Sequence, residues 1–240
     1  MYNLNDLFAV VQYHLNYMLQ CMPYILLHFV LLFFLRKILL RIFSTGRAGG
    51  SLACIVAADV RYPFFLLLLM LVLSWLVMAC IFLYLNLGFY FGGDFVFMAG
   101  VLLGWRAGWP VLLANLLLMS IWFYLLGRSA ILIAYVMLDS VIYFAIGLFS
   151  GTQLDALEGE YDGSDILLVC ANKLIAALVS AACWIVLIRD SWFSGINILI
   201  HRLVGWPFAS LPMIFLVLFL LQQDARQLAL RAARKAENPA

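Results

Sequence analysis

Charge is what this chain has least of: 11% of its 240 residues are Asp, Glu, Lys or Arg, and the mean hydropathy is +1.09. Soluble domains carry about a quarter charged residues, so this composition excludes a soluble globular protein. Lys and Arg total 14 for a net charge of +2, too few and too scattered for a nucleic-acid surface, and no nucleic-acid partner is expected. The five cysteines (Cys21, Cys54, Cys80, Cys170 and Cys183) are odd in number and never spaced Cys-x-x-Cys. They read as free packing thiols. The chain also lacks Gly-x-Ser-x-Gly, His-Glu-x-x-His and a phosphate loop, so neither an enzyme nor a cofactor is expected. His14 and His28 have no Cys or carboxylate at ligand spacing, which argues against a metal site. The first 17 residues lack a basic n-region and a cleavage motif, so the first span itself is the expected insertion signal.

What the chain has is apolar length. Hydrophobic residues make up 67% of it, enough for six or seven spans of about 20 residues. The expected architecture is all-α, a polytopic transmembrane helix bundle over residues 1–223 with a basic juxtamembrane tail at 224–240. Spans are read at 21–35, 62–85, 95–104, 109–126, 130–149, 166–188 and 195–221, with 7–19 either extending the first helix or lying in the interface. The count falls to six if the short run at 95–104 is re-entrant.

Seven spans place Arg36, Lys37, Arg41, Arg47, Arg61, Arg106, Arg226, Arg231, Arg234 and Lys235 inside and only Arg128 and Arg189 outside. The positive-inside rule therefore predicts N-out and C-in. The run Gly104-Trp105-Arg106-Ala107-Gly108-Trp109-Pro110 reads as a tight cytoplasmic turn of a hairpin. Glycine allows the sharp backbone, arginine favours the inside, tryptophan sits at the headgroups, and proline suits the first turn of the next helix. Residues 86–94, with Gly88, Gly92 and Gly93, read as an outer loop, and residues 155–165 as an acidic one.

Two ionisable residues fall inside apolar runs: Asp139 near the middle of the fifth span and Lys173 a third of the way into the sixth. A lone charge at the bilayer centre costs about 2.5–3.5 kcal/mol on insertion scales, so each needs a partner. Their depths differ by about one helical turn, and they are expected to pair with each other, either as an ion relay or ligand-pocket floor or as a structural salt bridge. Asn172 lies beside Lys173 but on another face. Asp94 is a candidate outer gate or ligand contact, or simply a helix N-cap. Ser120, Ser140 and Ser180 read as hydroxyls bonding a neighbouring helix. His201 and Arg202 precede Gly205-Trp206-Pro207, which should kink the last span and make Gly205 and Pro207 a candidate hinge. In the tail, Leu221, Ala225, Leu228 and Ala232 form a stripe suited to pairing with a copy or a partner protein, while the arginines suit anionic headgroups.

The segment from Phe97 through Gly104-Trp105-Arg106 and Pro110 to Asn115 resembles the central motif of the first MASE-type family of bacterial membrane-associated sensors: an apolar helix, a Gly-x-Arg turn, a proline, and a small-residue helix ending in Asn. Leu203-Val204-Gly205-Trp206-Pro207 is similar to that family's last-helix Gly motif. The resemblance implies a sensory input domain of the inner membrane that passes a ligand or membrane signal through its C-terminal helix. The residues alone also admit a small-solute or ion transporter, or the membrane subunit of a transport or partner-protein complex.

Overall fold

The computed structural model describes residues 4–45, 61–85, 90–154, 163–188 and 192–237, nearly all of them helical. The expected acidic positions 155–162, the loop at 86–89, Cys54, Arg47 and the pair Arg189 and Asp190 lie outside the described residues. The helices are α1 (Leu4–Thr45), α2 (Arg61–Leu85), α3 (Gly92–Leu125), α4 (Ala130–Gln153), α5 (Gly163–Ile188), α6 (Trp192–Gly205) and α7 (Leu211–Glu237), with a π-helical turn, Trp206–Ser210, between the last two. Among the described residues, six helical stretches are long and apolar enough to cross a membrane, the sixth running from Gly195 to Asp224. Consecutive helices pack against each other, and α6 returns to α1, which closes the bundle into a ring.

The first helix is longer than expected, with 42 residues and Pro23 inside it. Its polar N-terminal half is helical because its polar groups find partners: His14 Nε2 lies 2.6 Å from Asn197 Oδ1 on α6. A second polar contact holds α1 to α2, where buried His28 donates to the Tyr24 carbonyl and accepts from Ser74 Oγ at 3.1 Å.

Helix α3 is not straight. Gly104 sits at φ 63°, ψ −168°, a conformation open only to glycine, and the chain folds back on itself there. A straight helix would hold residues 99 and 108 about 13 Å apart. Instead, a Cβ built on Gly108 would lie 2.7 Å from the Ala99 carbonyl oxygen, and one on Gly92 would lie 2.5 Å from Asn115 Oδ1. Both pairs are centred on the peptide between residues 103 and 104. The two limbs, 92–103 and 105–125, therefore form an antiparallel hairpin whose first limb is about 18 Å long at 1.5 Å per residue. The predicted turn is where it was expected, with Trp105 and Arg106 exposed beside it. Pro110 is not in the first turn of the next helix, however, because the helix resumes at 105 and takes up the intervening residues.

The short limb is the core of the molecule. Phe95, Val96, Phe97, Met98 and Ala99 are all fully buried, so it is apolar on every side and shielded on every side. Its closest neighbour is α4, whose Gly147 and Gly151 admit it: a Cβ at Gly147 would meet the Phe97 carbonyl oxygen at 2.3 Å, and one at Gly151 the Val101 carbonyl oxygen at 2.6 Å. Small residues four apart let two helix backbones touch. Its N-terminal end is fixed from α2, where Ser74 Oγ accepts from the Phe91 N–H at 3.2 Å.

The strain at Gly104 yields a direct test. Gly104→Ala is expected to cost about 1–3 kcal/mol of stability, since an alanine there is confined to a disallowed backbone region although its methyl meets nothing within 4 Å. Thermal unfolding in detergent, with Gly163→Ala as a control whose methyl also meets nothing, measures it. Equal melting temperatures for the two variants would mean that the hairpin does not depend on this turn.

Candidate functional site

Halfway along the bundle, the start of the short limb, α4, α5 and α6 surround a cavity of about 410 Å³. Two acids and two bases that form ion pairs reach it, with His201 beside them. Asp94 and Lys173 are 5% and 3% exposed, and Lys173 Nζ lies 3.0 Å from Asp94 Oδ1. Arg202 Nη2 lies 2.9 Å from Asp139 Oδ1, and these two side chains are only partly shielded.

The pairing differs from the expected one. Asp139 and Lys173 do not bond each other: the buried limb carries Asp94 to Lys173, and α6 carries Arg202 to Asp139. Asp94 is accordingly not part of an outer loop. Nor does it cap its helix, since the N-cap position is Phe91 and Asp94 lies in the first turn. The reading failed because a glycine-rich stretch before a short apolar run has the composition of a surface loop, whereas here Gly92 and Gly93 let the helix start against Tyr90, Asn115 and Tyr143 inside the bundle.

Tyr143 on α4 joins the two pairs. Its ring lies beneath Lys173 Nζ, 3.5 Å from the centroid, and its hydroxyl accepts from Arg202 Nη1. Arg202 Nη2 also reaches the Tyr135 hydroxyl at 2.8 Å, and Tyr135 and Ser180 hydroxyls are 3.1 Å apart. Ser180 Oγ donates to Asp139. So Ser180, read from sequence as a simple helix-packing hydroxyl, belongs to the charged cluster. Ser140 keeps the packing role, accepting from Asn115 Nδ2 at 2.8 Å and donating to the Val136 carbonyl.

Of the remaining candidates, Asn172 stands apart, donating to Gln153 Oε1 at 2.9 Å at the end of α4. Gly205 lines the cavity, and Pro207 is the second residue of the π turn. A proline lacks the N–H that an α-helix requires, and a π turn is a common local accommodation of such a break. His201 Nδ1 lies 3.2 Å from His14 Nδ1, which extends the polar cluster toward α1. No group of three or more His, Cys, Asp or Glu among the described residues is placed to hold a metal.

A second charged cluster, missed in the sequence, lies away from the cavity. Arg36 Nε lies 2.8 Å from both carboxylate oxygens of Asp224, Arg36 Nη2 also bonds it, and the Tyr62 hydroxyl donates to Oδ2 at 2.7 Å. Asp224 is fully buried. Arg36 had the position of an ordinary inside-positive residue, and the one available signal was an acid at the end of the last apolar run.

Around the cavity stand two cations, two carboxylates, three phenols and His201, with the Ser180 hydroxyl bonded to Asp139. No protein-family model, curated protein or solved structure matches the chain.

Proposed function

We propose that this chain is a non-catalytic sensory or regulatory domain of the bacterial inner membrane, which binds a small ligand in its central cavity and passes the event along its C-terminal helix. The observation that carries this reading is the make-up of one cavity wall. His201, Arg202, Gly205, Trp206 and Ser210 all line it, and all belong to the segment around the π turn that leads directly into α7. From there α7 runs to Glu237. A ligand shifts a two-state equilibrium only by its differential affinity for the states. Contacts with an irregular turn, where two backbone arrangements lie close in energy, are a means of obtaining that difference.

In this reading the chain crosses the bilayer seven times, N-out and C-in. The short limb is part of the third crossing, about 18 Å of helix against a hydrocarbon core of about 30 Å. The distribution of Lys and Arg supports the orientation. The basic residues after Asp224 then face the cytoplasm, and the output passes through α7 to a second copy or a partner protein. The resemblance around Gly104 and Gly205 to membrane-associated sensors points the same way.

Spin labels on α1 and on the last turn of α7 test the coupling in nanodiscs. Filling the cavity with Ala177→Trp stands in for an occupant, and the interlabel distance distribution is expected to shift relative to wild type. An unchanged distribution in a folded variant overturns the coupling.

A transporter is the second reading, and the broken third crossing favours it. Half-helices that start near the bilayer midplane are a feature of transporter binding sites. Vesicles containing only this chain would then take up a solute that protein-free vesicles exclude, and Asp139→Asn would abolish uptake without lowering the melting temperature.

A further inference from the structure

We propose that the central cavity binds a small zwitterion: a molecule with one carboxylate and one ammonium on an apolar body, the chemistry of a neutral amino acid. The inference rests on the ligand-binding reading above and names the ligand's class. Its first support is charge balance. Lys173 and Arg202 offset Asp94 and Asp139, and with His201 as the neutral imidazole the cavity has no net charge. A singly charged ligand would leave an unbalanced charge in a shielded site. A zwitterion adds none, and it can exchange partners with the resident pairs, its carboxylate going to the cations and its ammonium to the acids.

Spare hydrogen-bonding capacity is the second support. Lys173 Nζ approaches one oxygen of Asp94 at 3.0 Å, but that buried oxygen accepts no aligned hydrogen bond among the described residues. The indole N–H groups of Trp184 and Trp206 are also buried and without a partner among the described residues, and both tryptophans line the cavity. Orphaned buried donors are rare, because each forfeits a hydrogen bond it had in water. Two such donors on residues that border the cavity are free to bond a ligand's acceptor oxygens once side chains adjust to it. Tyr143 already carries a cation, Lys173 Nζ, on its ring, and a ligand's ammonium would replace Arg202 or Lys173 at the carboxylate each now holds.

Size and shape are the third support. About 410 Å³ lies near the lower end of ligand pockets, about 300–1,000 Å³, which suits a small molecule. The tryptophan and tyrosine walls, with Phe123 and Leu132, favour an apolar body between the charged ends.

The test uses the full chain in nanodiscs, titrated calorimetrically with glycine, L-leucine and L-phenylalanine, and with phenethylamine and 3-phenylpropionate as singly charged counterparts. At least one zwitterion is expected to bind saturably, and the two singly charged compounds at least about tenfold more weakly. Ala177→Leu narrows the cavity without touching a charge and should weaken the zwitterion by about tenfold, while Arg202→Gln should do the same by removing a cation. If a singly charged compound binds as tightly as the zwitterions and loses affinity in Ala177→Leu, the cavity is a ligand site and the zwitterion class is overturned. If none of the five compounds binds the wild-type chain saturably, the zwitterion class and the ligand-binding reading both fall.

Discussion

Asp224→Asn is expected to destabilise the bundle by about 3–5 kcal/mol, the usual cost of removing one partner from a buried ion pair. The carboxylate is fully buried and accepts from Arg36 and Tyr62, so one substitution weakens the contacts of α7 with both α1 and α2. What remains is a guanidinium shielded from water with no counter-charge. Most of the cost comes from that orphaned cation. The double variant Arg36→Met, Asp224→Leu removes both charges and fills the space with apolar groups, a replacement that is often neutral or stabilising. It should therefore recover most of the loss. For a chain of this size each kcal/mol moves the melting temperature by about 2–4 °C, so thermal unfolding in detergent separates the two outcomes clearly. If the double variant is no more stable than the single one, the pair is not what clamps the last helix.

The clamp bears on function because of where it sits. Asp224 is the last residue of the last stretch long and apolar enough to cross a membrane, and the π turn ends 14 residues before it. The last helix thus begins from an irregular turn that borders the cavity and is held near its middle by a charged contact. A change of packing at the turn has to be expressed between those two points.

The parts of this fold that were legible in the sequence are those set by local chemistry. Long apolar runs between charges mark spans because each charge is expensive in hydrocarbon, and α2, α4 and α5 follow that rule closely. Gly104 was legible because arginine, tryptophan and proline surround it, although the resumption of helix well before Pro110 was not. Residues 7–19 were harder to read. Their polar groups look interfacial until His14 is seen to bond Asn197, 183 positions away.

Pairing was not legible, for a physical reason. Sequence gives the depth of a charge in a span, since depth is a count of residues, but not which helix stands opposite. Asp139 and Lys173 match in depth, and α4 and α5 are neighbours, yet the acid that reaches Lys173 comes from a third element, the short limb. That element was hidden because 12 residues preceded by glycines have neither the length of a span nor the polarity of a core-free loop. Gly147 and Gly151 were the available signal, since glycines four apart on one helix face mark a place where another backbone comes close. Arg36 escaped for the opposite reason: the positive-inside rule already accounted for it.

Lys173→Met decides between the two pairings. Alone it should cost about 3–5 kcal/mol, because it leaves Asp94 buried without its cation. Adding Asp94→Leu removes the stranded acid, and the double variant should regain more than half of the loss. Adding Asp139→Asn should regain little, because Asp139 retains Arg202 and Ser180 and would be a second, separate injury. Residues in direct contact show interaction energies of about 0.5–3 kcal/mol in such cycles, and a smaller value is expected between Lys173 and Asp139, which touch only through Tyr143. Unfolding free energies of the three single and two double variants, measured in one detergent, give both couplings. If the larger one joins Lys173 to Asp139, the short limb does not carry Asp94 into the bundle, and the hairpin at Gly104 must lie elsewhere. If it joins Lys173 to Asp94, the limb's N-terminal end is fixed beside the cavity. The charge balance of the site then includes an acid from a broken crossing, which can withdraw from Lys173 by moving a half-helix instead of a whole span.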